Sequence, residues 1–241
     1  MKGMKGFIGA LSVALLFSGC NMNNTTKGGL IGGAGGGALG AGLGAAIGAL
    51  AGGSSGAKLG AAIGAGVGVA GGTTAGILIG KKMDKAKAAA EAVDNAEVST
   101  VTDKNGLEAV KVTFDSGILF KQNKSDLQAG AQNSLRQFAN NVLNVYTDCD
   151  VAIYGFASSE GTEEVNKTVS QNRANAVRSY LTNACGVSSS QIKSAIGYGE
   201  DPQYLIYDAS GKEDKKASRR VEVYLYASDA MVKAANAGTL Q

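Results

Sequence analysis

The sequence predicts an α+β protein in which a C-terminal βαβαββ domain follows a glycine-rich helical hairpin. Two observations carry this. Glycine recurs at every fourth position from Gly28 to Gly80, fourteen times without a break. From Leu107 the pattern changes to short β-branched runs alternating with segments of helical periodicity, the signature of a mixed sheet with helices on one face. The chain therefore divides into 1–19, an exported leader; 20–27, a short tether; 28–80, the hairpin; 81–106, a helical stalk; 107–227, the folded domain; and 228–241, a tail.

Ala109 to Phe114 alternates as a strand. Ser125-Asp126-Leu127-Gln128 fits a capping box, and Leu135, Phe138, Val142 and Val145 then fall at helical spacing. Val151 to Phe156 is a second strand. Thr162-Glu163-Glu164 opens a second helix with its acids at the positive end of the dipole, and Val165, Val169, Val177 and Leu181 are its expected buried stripe. Ile192 to Tyr198 and Arg219 to Tyr226 are the third and fourth strands. In the last, Val221, Val223 and Leu225 face one way and Arg220, Glu222 and Tyr224 the other.

Composition excludes several functions. The chain has 241 residues and a formal charge of +3; without Lys2 and Lys5 of the leader, 21 basic and 20 acidic residues remain, too balanced for a nucleic-acid protein. It contains no His and three Cys with no CxxC pair, so His-dependent catalysis and zinc or iron–sulfur sites are not expected. No nucleophile–base pair is visible, and neither an enzyme, a metal nor a cofactor is predicted. Gly35 to Gly40 fits GxGxxG, but no strand precedes it. Two SxxK matches, at Ser55 and Ser190, lack the further motifs that would give them meaning.

The N-terminus is an address. Lys2 and Lys5 precede an apolar run from Phe7 to Phe17, the right length for a signal peptide and too short to span a bilayer. Leu16-Phe17-Ser18-Gly19-Cys20 resembles a lipobox, with Phe17 where Leu is usual. The resemblance implies a bacterial lipoprotein with a diacylglycerol on Cys20, and membrane lipid as a partner. Asn21 rather than Asp after Cys20 resembles the outer-membrane sorting pattern.

Positions between the regularly spaced glycines are mostly Ala, Leu, Ile and Val. In water each Gly costs a helix ~1 kcal/mol relative to Ala. In lipid the backbone must bond to itself, and Gly at four-residue spacing lets helices approach closely. Gly28–Gly53 and Leu59–Gly80 are each long enough to span, with 52–56 as the turn. The segment resembles the glycine zippers of bacterial envelope proteins, which implies a membrane hairpin able to form homo-oligomers. A flexible Gly-rich linker is the alternative. Lys81 to Glu97 is helix-prone and is read as a solvated spacer.

In the domain, Tyr154 to Gly161, then Asn166, then Ser170-Gln171-Asn172-Arg173-Ala174, with Gly197-Tyr198-Gly199, Pro202 and Arg219-Arg220-Val221-Glu222, resemble in order and spacing the OmpA-like peptidoglycan-binding family. That resemblance implies binding to the diaminopimelate residue of peptidoglycan stem peptides. It also implies that Arg173 meets a ligand carboxylate, for which a planar guanidinium is suited. Asn166, Ser170 and Arg173 share one helix face, and Gly161 closes the motif loop. Arg220 is either a site residue or a brace. Ser158 stands where the family carries the Asp that meets the ligand's ammonium, with Glu160 the nearest carboxylate. Binding preserved through Glu160, binding weakened, and a changed ligand are the three outcomes this leaves.

Cys149 and Cys185 fall at the same end of the sheet in a βαβα path, and export favours a disulfide between them; two free thiols are the alternative. The functional expectation is a lipid-anchored protein of the outer membrane whose periplasmic domain holds the cell wall. The alternative is a membrane-active glycine-zipper assembly, a pore or scaffold, located by that domain.

Overall fold

The computed structural model describes residues 73–102 and 107–240. The lipobox-like segment with Cys20, and the glycine series before Thr73, lie outside the described residues. Among those described, no helix is long and apolar enough to cross a membrane.

The centre is a five-stranded mixed sheet in the order β1-β2-β5-β3-β4. The strands are β1 (Glu97–Thr102), β2 (Glu108–Asp115), β3 (Cys149–Phe156), β4 (Ile192–Gly199) and β5 (Arg220–Ala227). β3 and β4 pair in parallel and every other pair is antiparallel. The parallel pair needs a long crossover, supplied by a helix of Glu163–Asn183. One sheet face carries Val110, Val112, Phe114, Val151, Ile153, Val221, Val223 and Leu225 into the main core. The other carries Tyr154, Phe156, Tyr224 and Tyr226, joined by Tyr198 and Tyr204. The predicted split of β5 holds: its valines and leucine face the helices, and Arg220, Glu222 and Tyr224 face away.

The helices are α1 (Thr74–Glu91), α2 (Ser116–Leu119), α3 (Ala129–Phe138), α4 (Glu163–Asn183), α5 (Lys215–Ser218) and α6 (Asp229–Asn236). A π-helical turn, Ala139–Leu143, extends α3. Several helix starts are fixed by a capping side chain. The Thr73 hydroxyl accepts from Gly76 N at 3.3 Å, Thr162 caps α4 through Val165 N at 3.4 Å, and Ser228 caps α6 through Met231 N at 3.1 Å. The capping box expected at Ser125 does not form. Gln128 takes the N-cap position of α3, and its side-chain amide donates instead to the carbonyls of Gly117 and Ile118. Val145, expected in the buried stripe, is 61 % exposed because the chain leaves the helix after the π turn.

Three expectations about the domain are corrected. The solvated stalk at 81–106 is part of the fold. Ala75, Ile79, Met83, Ala86 and Ala90 line one face of α1 and join the main core, against β1, β2 and α6. Burying Ile79 and Met83 contributes about 1.5–3 kcal/mol each. Gly76 and Gly80, the last two members of the glycine series, lie on this same buried face and not in a membrane span. The stretch after α1 adds an edge strand, β1, which pairs with β2 from Glu97↔Thr113 to Thr102↔Glu108. The expected tail contains α6, whose Met231, Val232 and Ala235 are buried.

The disulfide is also corrected, since Cys149 and Cys185 are free. They occupy different neighbourhoods. Cys149 is buried near Asp148, Asp150 and Lys82, whereas Cys185 follows α4 beside Tyr180 and Arg136.

On the crossover helix the buried positions are Asn166, Ser170, Arg173, Ala174, Val177 and Leu181. Val165 is exposed and Val169 half-buried, against expectation. The reason lies in the sheet. A Cβ on Gly155 would sit 2.2 Å from the carbonyl oxygen of Ser170, and one on Gly197 would sit 2.0 Å from the backbone nitrogen of Gln171. Glycine lets the helix rest directly on the strands, so the contact side of its first half is small and polar.

Candidate functional site

That close docking brings the start of α4 beside the loop after β3 and the segment after α2. Together they wall a groove of about 880 Å³. Its lining comes from the segment after α2 (Phe120, Lys121, Gln122 and Asn123), the loop after β3 (Ala157, Ser158, Glu160 and Gly161) and the start of α4 (Val165, Asn166, Val169 and Arg173). Arg219, just before β5, also lines it.

The loop is held by α4. The Asn166 side-chain nitrogen faces Ser158 O at 3.1 Å, Glu160 O at 2.9 Å and Glu200 Oε2 at 2.5 Å. Its amide is therefore committed to shaping the loop. Gly161 adopts φ +108°, which favours glycine. Ala157 N donates to Gly199 O at 2.7 Å and so fixes the loop's start. From the far side, Ser159 bonds the Glu213 carboxylate through both its backbone N–H and its hydroxyl. This gives the 201–216 loop a role: it buttresses the groove wall and lays Tyr204 against Phe156 and Tyr198.

Arg173 is 6 % exposed. Its Nε donates to Lys124 O at 3.1 Å, and the guanidinium lies 5.2 Å from the centre of the Phe120 ring. Its Nη1 and Nη2 donors have no partner among the described residues. Burial first, then the positive charge of Arg219, push its pKa down.

Ser158 is buried, and its hydroxyl accepts from Arg219 Nη1 at 3.3 Å. Glu160 is exposed and accepts from Arg219 Nη1 at 2.6 Å and from Lys215 Nζ at 3.0 Å. The hydrogen bond and charge of Lys215, then the charge of Arg219, hold its carboxyl below the usual range.

Of the residues singled out in the sequence, Arg173, Asn166, Ser158, Gly161 and Glu160 converge on the groove. Ser170 and Arg220 do not. The Ser170 hydroxyl donates to Lys167 O at 2.9 Å and accepts from Gly199 N at 2.8 Å, which pins α4 to β4. Arg220 lies on the other sheet face, where Nε meets Glu222 Oε1 at 2.7 Å, Nη1 bonds the carbonyls of Tyr204 and Ser218, and the guanidinium covers Phe156 at 4.1 Å. It is the brace of the two alternatives. Arg219, Lys121, Val165 and Val169 line the groove without having been singled out for it. The strand alternation of Arg219-Arg220 held the signal for the first, because neighbours on a strand face opposite ways.

Residues 119–219, which span almost all of these features, match the OmpA family. This stretch is an OmpA-like domain. The chain is 30 % identical over 128 residues to outer membrane porin F of Pseudomonas aeruginosa, covering 52 % of this chain and 35 % of that protein. It is 34 % identical over 95 residues to outer membrane protein A of Serratia marcescens, covering 39 % of this chain and 26 % of that protein. The chain thus spans about a third or less of the curated relatives it matches. Among solved structures it is similar to a MotB-like protein from Desulfovibrio vulgaris, with 20 % identity, a TM-score of 0.48, and coverage of 65 % of this chain and 97 % of that one. The OmpA-like domain begins inside α2, so α1 and β1 lie outside the matched stretch.

Proposed function

We propose that this chain is a cell-envelope lipoprotein whose OmpA-like domain binds peptidoglycan stem peptides non-covalently and so ties the outer membrane to the wall. The observation that carries the reading is Arg173, a nearly buried guanidinium with unused donors facing a groove of peptide size. A guanidinium so placed needs an anion, because a buried charge without a partner is costly. A carboxylate takes its paired N–H groups in bidentate fashion. The curated relatives are, by their names, outer-membrane proteins. The Leu16 to Cys20 sequence supports a lipid anchor, and the glycine series up to Gly72 supports a second attachment, as a membrane hairpin that self-associates.

The test is co-sedimentation of the full chain, in detergent, with purified sacculi. Wild type is expected to pellet and Arg173→Ala to stay largely in solution. Failure of wild type to pellet rejects wall binding, and undiminished pelleting of Arg173→Ala rejects this groove. Anchoring is tested by intact mass of the membrane-extracted protein. The reading expects Cys20 at the mature N-terminus with a lipid adduct, and loss of the adduct in Cys20→Ser.

A further inference from the structure

The charges lining the groove are one-sided. The lining holds three cations, Lys121, Arg173 and Arg219, and a single carboxylate, Glu160. Glu160 is already paired with Arg219 at 2.6 Å and with Lys215 at 3.0 Å. Ser158 carries no charge, is 2 % exposed, and has its hydroxyl oxygen facing Arg219. The one carboxylate lining the groove already carries two cations, so a ligand cation would have to compete with them and join a local excess of positive charge. An ammonium entering beside Ser158 would meet a guanidinium, and like charges brought together are strongly unfavourable.

The positive side is the opposite case. Arg173 is 6 % exposed, and its Nη1 and Nη2 lack partners among the described residues. Burial and repulsion from Arg219 both disfavour its charged form, so an anion in the groove relieves both. Phe120, Val165 and Val169 line the same groove and suit a run of methylenes next to the anion.

We infer that the groove selects a ligand carrying carboxylates and amides but no free ammonium: the diamino-acid residue of a stem peptide with its side-chain amine acylated, as in a cross-link. This rests on the wall-binding reading above and gives it a substrate class. Acylation removes the cation and leaves a neutral amide that Ser158 and Arg219 tolerate, while the carboxylate goes to Arg173.

Calorimetric titration of the full chain in detergent tests this with three probes sharing one carbon chain. Pimelate has two carboxylates and no amine, N,N′-diacetyl-diaminopimelate has both amines acylated, and meso-diaminopimelate has both free. The first two are expected to bind at least about ten-fold more tightly than the third, the factor expected when a charged contact is lost or opposed. Ser158→Asp is expected to move the ratio toward diaminopimelate by a similar factor. Arg219→Gln, on the surface, is expected to move it the same way and covers the case in which Ser158→Asp fails to fold. Wild type that prefers diaminopimelate, or binds none of the probes, overturns the inference; so does a ratio that neither variant moves. Pelleting with sacculi separates this from the underlying reading. A chain that pellets but prefers the free amine rejects the selectivity alone, whereas a chain that prefers the acylated probe without pelleting supports the selectivity and rejects wall binding.

Discussion

Gly197 of β4 lies so close to Gln171 of α4 that a Cβ there would stand 2.0 Å from the Gln171 backbone nitrogen. Neither atom is the tip of a flexible side chain, so the helix must lift. Overpacking costs typically ~1–3 kcal/mol, and a backbone collision belongs at the upper end. Gly197→Ala is expected to lower the unfolding free energy, read from a urea titration, by that much and to weaken pelleting with sacculi, since α4 carries Asn166 and Arg173 of the groove. Gly130→Ala is the control: nothing lies within 4 Å of its Cβ site, early in α3. It is expected to stabilise by about 0.5–1 kcal/mol, the helix preference for Ala over Gly.

The adjacent arginines are expected to separate stability from binding. Arg220→Ala leaves Glu222 4 % exposed, without its 2.7 Å partner, and with only the Tyr224 hydroxyl and a more distant Lys111 at 3.9 Å. Removing one member of a buried ion pair costs about 3–5 kcal/mol. Arg219→Ala removes an exposed pair with Glu160 and is expected to cost less than ~1 kcal/mol. Chemical denaturation of both variants checks the contrast. Equal losses would refute the assignment of Arg220 as brace and Arg219 as groove residue.

These two arginines also show what sequence reading reached. The strands and α4 were legible because their runs are long and their periods clean, and the loop motif brought Ser158, Gly161, Asn166 and Arg173 together correctly. The burial of α1 is hard to see in the sequence because its buried stripe is built largely from small residues, Ala75, Gly76, Gly80, Ala86 and Ala90, amid lysines, so its apolar contrast is weak. β1 does carry a local strand signal, Val98, Thr100, Val101 and Thr102 with Glu97 as its one charge, but it falls inside the stretch taken for a spacer. Val165 and Val169 were assigned to the core by hydrophobicity, but the core-facing side of α4 there is set by Gly155 and Gly197 on other strands. That is a tertiary fact with no local trace. The cysteine pairing failed for a similar reason: sharing one end of a sheet does not bring two thiols into contact, and disulfide geometry is strict.

The free thiols are expected to differ in reactivity. Cys149 is 1 % exposed, and burial, reinforced by Asp148, drives its thiol far above the ordinary range. Cys185 is less enclosed and less perturbed. The thiolate is the reacting form. Under native conditions iodoacetamide is expected to modify Cys185 and spare Cys149. Unfolding without reductant is expected to expose both, read as two adducts by peptide mass. Resistance of both thiols after unfolding would restore the disulfide.

Glu160 gives the groove a defined acid response. Its folded pKa is depressed, chiefly by the hydrogen bond and charge of Lys215 and then by the charge of Arg219. A depressed carboxylate contributes stability that is present above the unfolded value, ~4.3 for Glu, and lost as pH falls through the lower folded value. The pair is exposed, so the effect is local and screened by salt. The Glu160 carboxyl carbon, followed by NMR, is expected to titrate below the ordinary glutamate midpoint and to return toward it in Lys215→Ala. Once Glu160 is protonated, Arg219 loses its counter-charge and the groove becomes more positive. Binding of a permanent dianion of similar length, such as 1,5-pentanedisulfonate, which stays ionised over this range, is therefore expected to hold or strengthen as pH falls through that midpoint. A groove that used Glu160 to hold a ligand ammonium would weaken over the same interval, so the direction of the change decides which charge the ligand presents.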